Sequence, residues 1–193
     1  MRSLAADVRD ELERRGFDVQ LSAELEDQIP EIDGHADIWR VFLNPDLLAR
    51  AIRAIAAPFA GEGITKVVGI ESRGFLLGGA VAVALDAGFA GVRKGGALLP
   101  GPKLREPMRA PDYRGRVHDL LLQASALDRR DRVLLVDDWI ESGNQALAVK
   151  HLVLRANATF VGTSVIVNQL PTDRAGDFAS LHYLVRYFPR DEK

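Results

Sequence analysis

Two carboxylates stand side by side in the stretch RVLLVDDWIESGNQ, residues 132–145, directly after five residues, 132–136, that read as a short buried strand. Asp137 and Asp138 are followed by Trp139, Ile140 and a polar turn of Glu141, Ser142, Gly143, Asn144 and Gln145, and then by a helical pattern. Two adjacent carboxylates cannot both point into an apolar core, because an unpaired buried charge is too costly. At a strand end they can accept hydrogen bonds from two neighbouring hydroxyls, as in a ribose diol. The turn behind them feeds a helix N-terminus, whose free amides and positive dipole end attract phosphate. Ser142 adds a hydroxyl, Gly143 permits close backbone approach, and Asn144 and Gln145 bring amide donors. Diol-binding acids one turn from a phosphate cradle describe a site for ribose 5-phosphate. The competing reading is an acidic strand end beside an ordinary capping serine, an arrangement that recurs across α/β proteins.

Other residues with chemical potential lie upstream. Arg73 falls just past the apolar run KVVGI at 66–70, where an arginine calls for an anion partner. Between 93 and 116, Arg93, Lys94, Lys103, Arg105, Arg109, Arg114 and Arg116 face only Glu106 and Asp112. That segment is either a solvated loop or a cationic flap over a polyanionic ligand. Lys94 reads equally as a surface charge, and Tyr113 as a loop anchor or a stacking surface for a base. His35, His118, His151 and His182 show no metal-ligand spacing and read as structural or exposed. GxxxxGK[ST] is absent, and no GxGxxG follows a strand, which argues against P-loop kinases and ordinary dinucleotide enzymes.

These residues need a scaffold, and the chain of 193 residues is long enough for one domain with a full core. We read 1–193 as a single domain, with an N-terminal helix and hood over 1–44 and a core over 45–193. Leu4, Val8 and Leu12 share a helical face that Gly16 ends, and residues 17–44 are mixed. Asn44 caps a helix that Pro45 and Asp46 open, with Leu48, Ile52, Ile55 and Phe59 on one face. Residues 66–70 are a buried strand, 75–88 a helix apolar all round, and 89–94 a second strand. Residues 95–111, with several Pro and Gly, read as a long mobile loop. Strands at 117–123, 132–136, 160–167 and 181–188 and a helix at 145–156 follow. Alternating strands and helices give an α/β fold, doubly wound around a mainly parallel sheet.

Net charge is -2, so a nucleic-acid partner is not expected, and glycines with Asp86 interrupt the longest apolar run, so neither is a membrane span. The charged N-terminus lacks a signal-peptide core, and the absence of Cys excludes disulfides, thiolate metal sites and a cysteine nucleophile. A cytoplasmic location is the expectation.

The strand-Asp-Asp-turn-helix segment resembles the phosphoribosyl pyrophosphate (PRPP) motif of type I phosphoribosyltransferases, and the rest of the chain is similar most of all to their adenine-specific branch. TKVVGIESRGFLLGGAVA, 65–82, resembles that branch's second segment, which places Ser72 and Arg73 at the pyrophosphate dipeptide. VRKGGALLPGP, 92–102, resembles the next loop, with Lys94 as its basic residue. Asp112 and Tyr113 resemble the acid-Tyr pair of the flexible flap, expected over about 95–116. DIWRVFLNP, 37–45, resembles the base-holding segment, with Ile38, Trp39 and Arg40 against the base. The likeness runs in consistent order from about Asp37 to the C-terminus. It implies the type I phosphoribosyltransferase fold with a small N-terminal hood and a flexible flap.

The resemblance further implies transfer of ribose 5-phosphate from PRPP to a nucleobase, with Mg²⁺, pyrophosphate release and a homodimer. Asp137 and Asp138 would hold the ribose hydroxyls, and Glu141, Ser142, Gly143, Asn144 and Gln145 the 5′-phosphate. Ser72, Arg73 and Lys94 would hold pyrophosphate, with Asp112, Tyr113 and Arg73 in catalytic roles. No metal ligand among the side chains is expected. The chain departs from the family's Ala-Thr-Gly-Gly-Thr turn, replaces a second loop lysine with Ala97, and carries Asp112 where Glu is usual. Such changes also fit a non-catalytic sensor of PRPP or a nucleotide. A receiver-type signalling domain would carry its acidic pair early in the chain and ranks last.

Overall fold

The computed structural model describes residues 18–32, 35–96, 98–108, 119–178 and 180–187. The expected first helix, Ala97, and the flap residues Arg109, Asp112, Tyr113, Arg114, Arg116 and His118 lie outside them. Two helices occupy the stretch that the sequence leaves mixed: α1, Val19–Asp27, capped by the Asp18 carboxylate, and α2, Trp39–Leu43. Between them β1, Glu31–Ile32, and β2, His35–Ala36, form a small antiparallel ribbon. Helix α3, Pro45–Ala56, begins as expected: Asn44 Oδ1 accepts the amides of Asp46 and Leu47, each at 3.1 Å. Its buried face is centred on Leu47, Ala51 and Ile55, with Leu48 and Ile52 partly buried at its margin.

The remaining elements are β3, Lys66–Ile70; α4, Arg73–Ala84; β4, Gly88–Lys94; β5, Lys103–Pro107; β6, Asp119–Gln123; β7, Arg132–Ile140; α5, Asn144–Arg155; β8, Thr159–Asn168; and β9, Leu181–Arg186. Seven strands form one sheet in the order β5-β6-β4-β3-β7-β8-β9. β4, β3, β7, β8 and β9 run parallel, while β6 is antiparallel to both β4 and β5. This is the expected mainly parallel, doubly wound α/β fold.

Strand alternation builds a core on each face of the sheet. Val67, Leu134, Val136 and Ile166 pack with α1, α3 and α4 through Leu21, Leu25, Ile55, Leu77 and Val81. Val68, Ile70, Val133, Leu135 and Val165 point the other way, onto Val149, Leu152 and Val153 of α5. β3 continues through α4 to β4 on one side, whereas β7 continues through α5 to β8 on the other. The reversal opens a crevice at the carboxyl ends of β3 and β7, where open α/β sheets bind ligands.

Three expectations are corrected. β7 does not stop at residue 136: its ladder with β8 runs on to Ile140, so Asp137 and Asp138 lie inside the strand. Part of the supposed loop is strand, because 103–107 alternates exposed and half-buried residues and pairs with β6 in full register. Helix α4 is not buried all round: Leu76 and Val83, seven residues apart on one face, are 56% and 83% exposed. A helix lying on a sheet buries only one side, whatever its composition.

Candidate active site

The crevice is built from the ends of β3 and β7 and the first turns of α4 and α5. Asp138 is 5% exposed, and its Oδ2 accepts a hydrogen bond from Arg73 Nε at 2.5 Å. One carboxylate of the pair is therefore buried, and its charge is not left unpaired, because Arg73 supplies the countercharge. The anion partner that Arg73 called for is, in this state, part of the protein. The Arg73 guanidinium also lies over the Trp39 ring, 5.5 Å from its centroid, a cation–π contact joining α2 to α4.

Asp137 sits beside this pair. Its Oδ1 accepts the Asp138 backbone amide at 3.0 Å and lies close to Gly74. A Cβ on Gly74 would come within 2.8 Å of that oxygen, so α4 starts this near β7 only because residue 74 has no side chain. Burial, and then the neighbouring Asp138 charge, push the Asp137 carboxyl well above the ordinary carboxylate range.

Behind the acids, α5 opens with Gly143 at its N-cap, in the left-handed region at φ 77°, a residue with no side chain to cap the first amides. Ser142 Oγ accepts the Asn144 amide only at 3.5 Å. Ser142 and Glu141 are exposed, while Asn144 and Gln145 are half-buried in the first turn. The helix thus presents amides, the positive end of its dipole and a hydroxyl, with the Glu141 side chain exposed to solvent.

On the other flank, the Glu71–Ser72 peptide is cis, and Glu71 braces the end of β3 against β4. Its Oε2 accepts Arg93 Nε at 2.7 Å and its Oε1 accepts the Lys94 amide at 2.8 Å. Arg93 reaches on to the Leu98 carbonyl at 3.1 Å. Sequence reasoning passed over Glu71, although a carboxylate just past a buried strand was the signal used for Asp137 and Asp138. The structure therefore brings Ser72, Arg73, Lys94, Asp137, Asp138 and the 141–145 turn to one end of the sheet.

The expected base-holding residues divide. Ile38 is buried at 2% exposure and serves the core. Trp39 is 46% exposed, stacked beside Phe42 at 5.4 Å and under Arg73, so it is no core residue. Arg40 is exposed and pairs with Asp37 at 3.6 Å. Trp139 packs beside the sheet, with Tyr187 at 5.1 Å and its Nε1 donating to Gln169 Oε1 at 2.8 Å.

A parallel sheet whose switch point joins adjacent acids to a helix N-terminus is the scaffold of an α/β protein that binds ligands at its strand ends. Residues 42–191 match the family model described as phosphoribosyl transferase domain, and the chain belongs to that family. An adenine phosphoribosyltransferase of Myxococcus xanthus is 40% identical over 130 residues, 65% of this chain and 66% of that protein. One of Brucella ovis is 37% identical over 133 residues, 68% of this chain and 71% of that one. Among solved structures, the Rhodothermus marinus adenine phosphoribosyltransferase superposes with a TM-score of 0.74 at 34% identity, covering 88% of this chain and 100% of that one. The Giardia lamblia enzyme, complexed with 9-deazaadenine, gives 0.72 at 30% identity, covering 83% and 92%.

Proposed function

We propose that the protein is a pentosyltransferase that moves ribose 5-phosphate from PRPP to a nucleobase and releases pyrophosphate, with adenine as the base. The observation that carries this is the joining of Asp137 and Asp138 to the open N-terminus of α5 and to Arg73 at one switch point. Adenine is favoured because the relatives described above carry that name. The sensor alternative has no observation of its own in its favour.

Asp137 and Asp138 accept the ribose hydroxyls, and the amides of α5 with Ser142, Asn144 and Gln145 hold the 5′-phosphate. Arg73, Ser72 and Lys94 take the pyrophosphate. As the C1′–oxygen bond to pyrophosphate breaks and the C1′–nitrogen bond forms, positive charge builds on the ribosyl centre. The nearby carboxylates stabilise that charge. The base gives up its ring N–H proton, and the resemblance places Asp112 to receive it, with Tyr113 beside it in the flap. Trp39 and Arg40 lie on the segment assigned to the base. Closure of the flap excludes water that would hydrolyse the activated sugar.

Among the described residues no group of three or more His, Asp or Glu side chains is gathered to hold a metal, and Asp138 is engaged by Arg73. We place Mg²⁺ with the substrate, on the pyrophosphate of PRPP.

Among the described residues no helix is long and apolar enough to cross a membrane, and the net charge of -2 gives the chain no global character of a nucleic-acid binder. We read the protein as cytoplasmic, acting on small molecules. A homodimer is supported by the family likeness and by the exposed apolar Leu76 and Val83 on α4, and light scattering on the purified protein tests it.

The deciding experiment is pyrophosphate release from MgPRPP with each common nucleobase. Release with adenine alone is expected. Release with another base corrects the specificity, and PRPP binding without release on any base favours the sensor.

A further inference from the structure

The site is closed on itself. Arg73 Nε and Asp138 Oδ2 lie 2.5 Å apart, and Trp39 backs the guanidinium. Asp138 is nearly inaccessible to water, so its charge is balanced by Arg73. The other carboxylates nearby do not replace it as a partner: Glu71 is held by Arg93 and the Lys94 amide, and Asp137 accepts the Asp138 amide. Under the proposed function, on which this inference rests, both members of the pair have a second partner in PRPP. Asp138 turns to the ribose hydroxyls and Arg73 to the pyrophosphate.

The two exchanges depend on each other. A ligand with only a diphosphate draws Arg73 away and leaves a buried carboxylate without a partner, which is heavily penalised. A ligand with only the diol must displace Arg73 from Asp138 and gives the guanidinium no anion in return. A molecule that carries a diol and a diphosphate at the right separation satisfies both. We propose that the Arg73–Asp138 pair, backed by Trp39, is a selectivity latch. It makes the site discriminate against free pyrophosphate, inorganic phosphate and other polyphosphates, and Asp138 is the residue that sets this discrimination.

Calorimetric titration of the wild type, Asp138→Asn and Trp39→Leu with Mg-pyrophosphate and with MgPRPP tests the latch. Asp138→Asn removes the stranded charge, so pyrophosphate is expected to bind about tenfold more tightly while PRPP binds more weakly. A purely structural role for Asp138 predicts weakening of both. Trp39→Leu changes a half-exposed residue and loosens the hold on Arg73. It should tighten pyrophosphate about two- to threefold, and Trp39→Phe should stay at the wild-type value. Should Asp138→Asn not fold, the Trp39 pair decides alone. Pyrophosphate affinity that is unchanged or lower in folded Asp138→Asn and Trp39→Leu overturns the latch, even where the wild type turns over PRPP normally. A wild type that binds neither ligand overturns the functional reading, and the latch with it.

Discussion

Gly143 and Phe178 touch so closely that a Cβ on residue 143 would lie 2.6 Å from the Phe178 ring and 2.9 Å from Leu170. The same glycine holds φ at 77°, a value that side-chain-bearing residues rarely adopt. The turn before α5 is thus shaped by strain and by packing together. Gly143→Ala is expected to destabilise the protein by about 1–3 kcal/mol and to raise KM for PRPP. Denaturant unfolding and steady-state kinetics measure the two effects. Phe178→Ala should cost less stability in the Gly143→Ala background than in the wild type, because there it also relieves part of the clash.

Asp137 should cost stability near neutral pH. Burial and the Asp138 charge raise its folded pKa above the unfolded one, so between those two values the folded state keeps a proton that the unfolded state has lost. Stability from this group is complete below the unfolded pKa and falls as pH rises through the folded one. Asp137→Asn is expected to raise Tm by about 2–5 °C at pH 7 to 8. The gain should shrink towards zero by about pH 3, where the unfolded carboxyl is protonated as well. Turnover should fall at every pH, which is the usual exchange of stability for function at a polar site.

Glu71 is the brace between the Ser72–Arg73 dipeptide and Lys94. Glu71→Gln keeps an acceptor for the Lys94 amide and discards the charge that holds Arg93. KM for PRPP is expected to rise about tenfold with KM for the base little changed, in line with loss of a charge-assisted bond. Equal effects on both substrates would count against a local positioning role.

Thr163 is a defect with no evident duty. It is 2% exposed within β8, and among the described residues its hydroxyl has no hydrogen-bond partner. Thr163→Val keeps the shape and removes the unsatisfied oxygen, and should stabilise the fold by about 1 kcal/mol with activity intact. Thermal unfolding checks it.

Asp112 lies outside the described residues, and its role rests on resemblance. Asp112→Asn is expected to lower kcat about 100-fold or more, the scale of general acid–base catalysis, while PRPP still binds. Unchanged turnover removes it from the mechanism.

What the sequence determined by itself is local. The continuous apolar run at 66–70 announces a strand covered on both faces, the β-branched stretch at 160–167 announces another strand, Asn44 and Pro45 announce the start of α3, and the turn after Asp137 and Asp138 announces a helix start near Gln145. Those signals survive because each depends on neighbours a few residues away. Even so, β7 extends past the acids because the ladder with β8 continues to Ile140, and β5 forms because β6 is there to pair with it. Only the tertiary structure decided that Asp138 is buried against Arg73, that Arg73 lies over Trp39, that Glu71 holds Arg93, and that Phe178 closes on Gly143. The physical reason is that a charge's partner, and hence its cost, is set by whatever the fold brings within a few ångströms. Chain order carries no record of that distance.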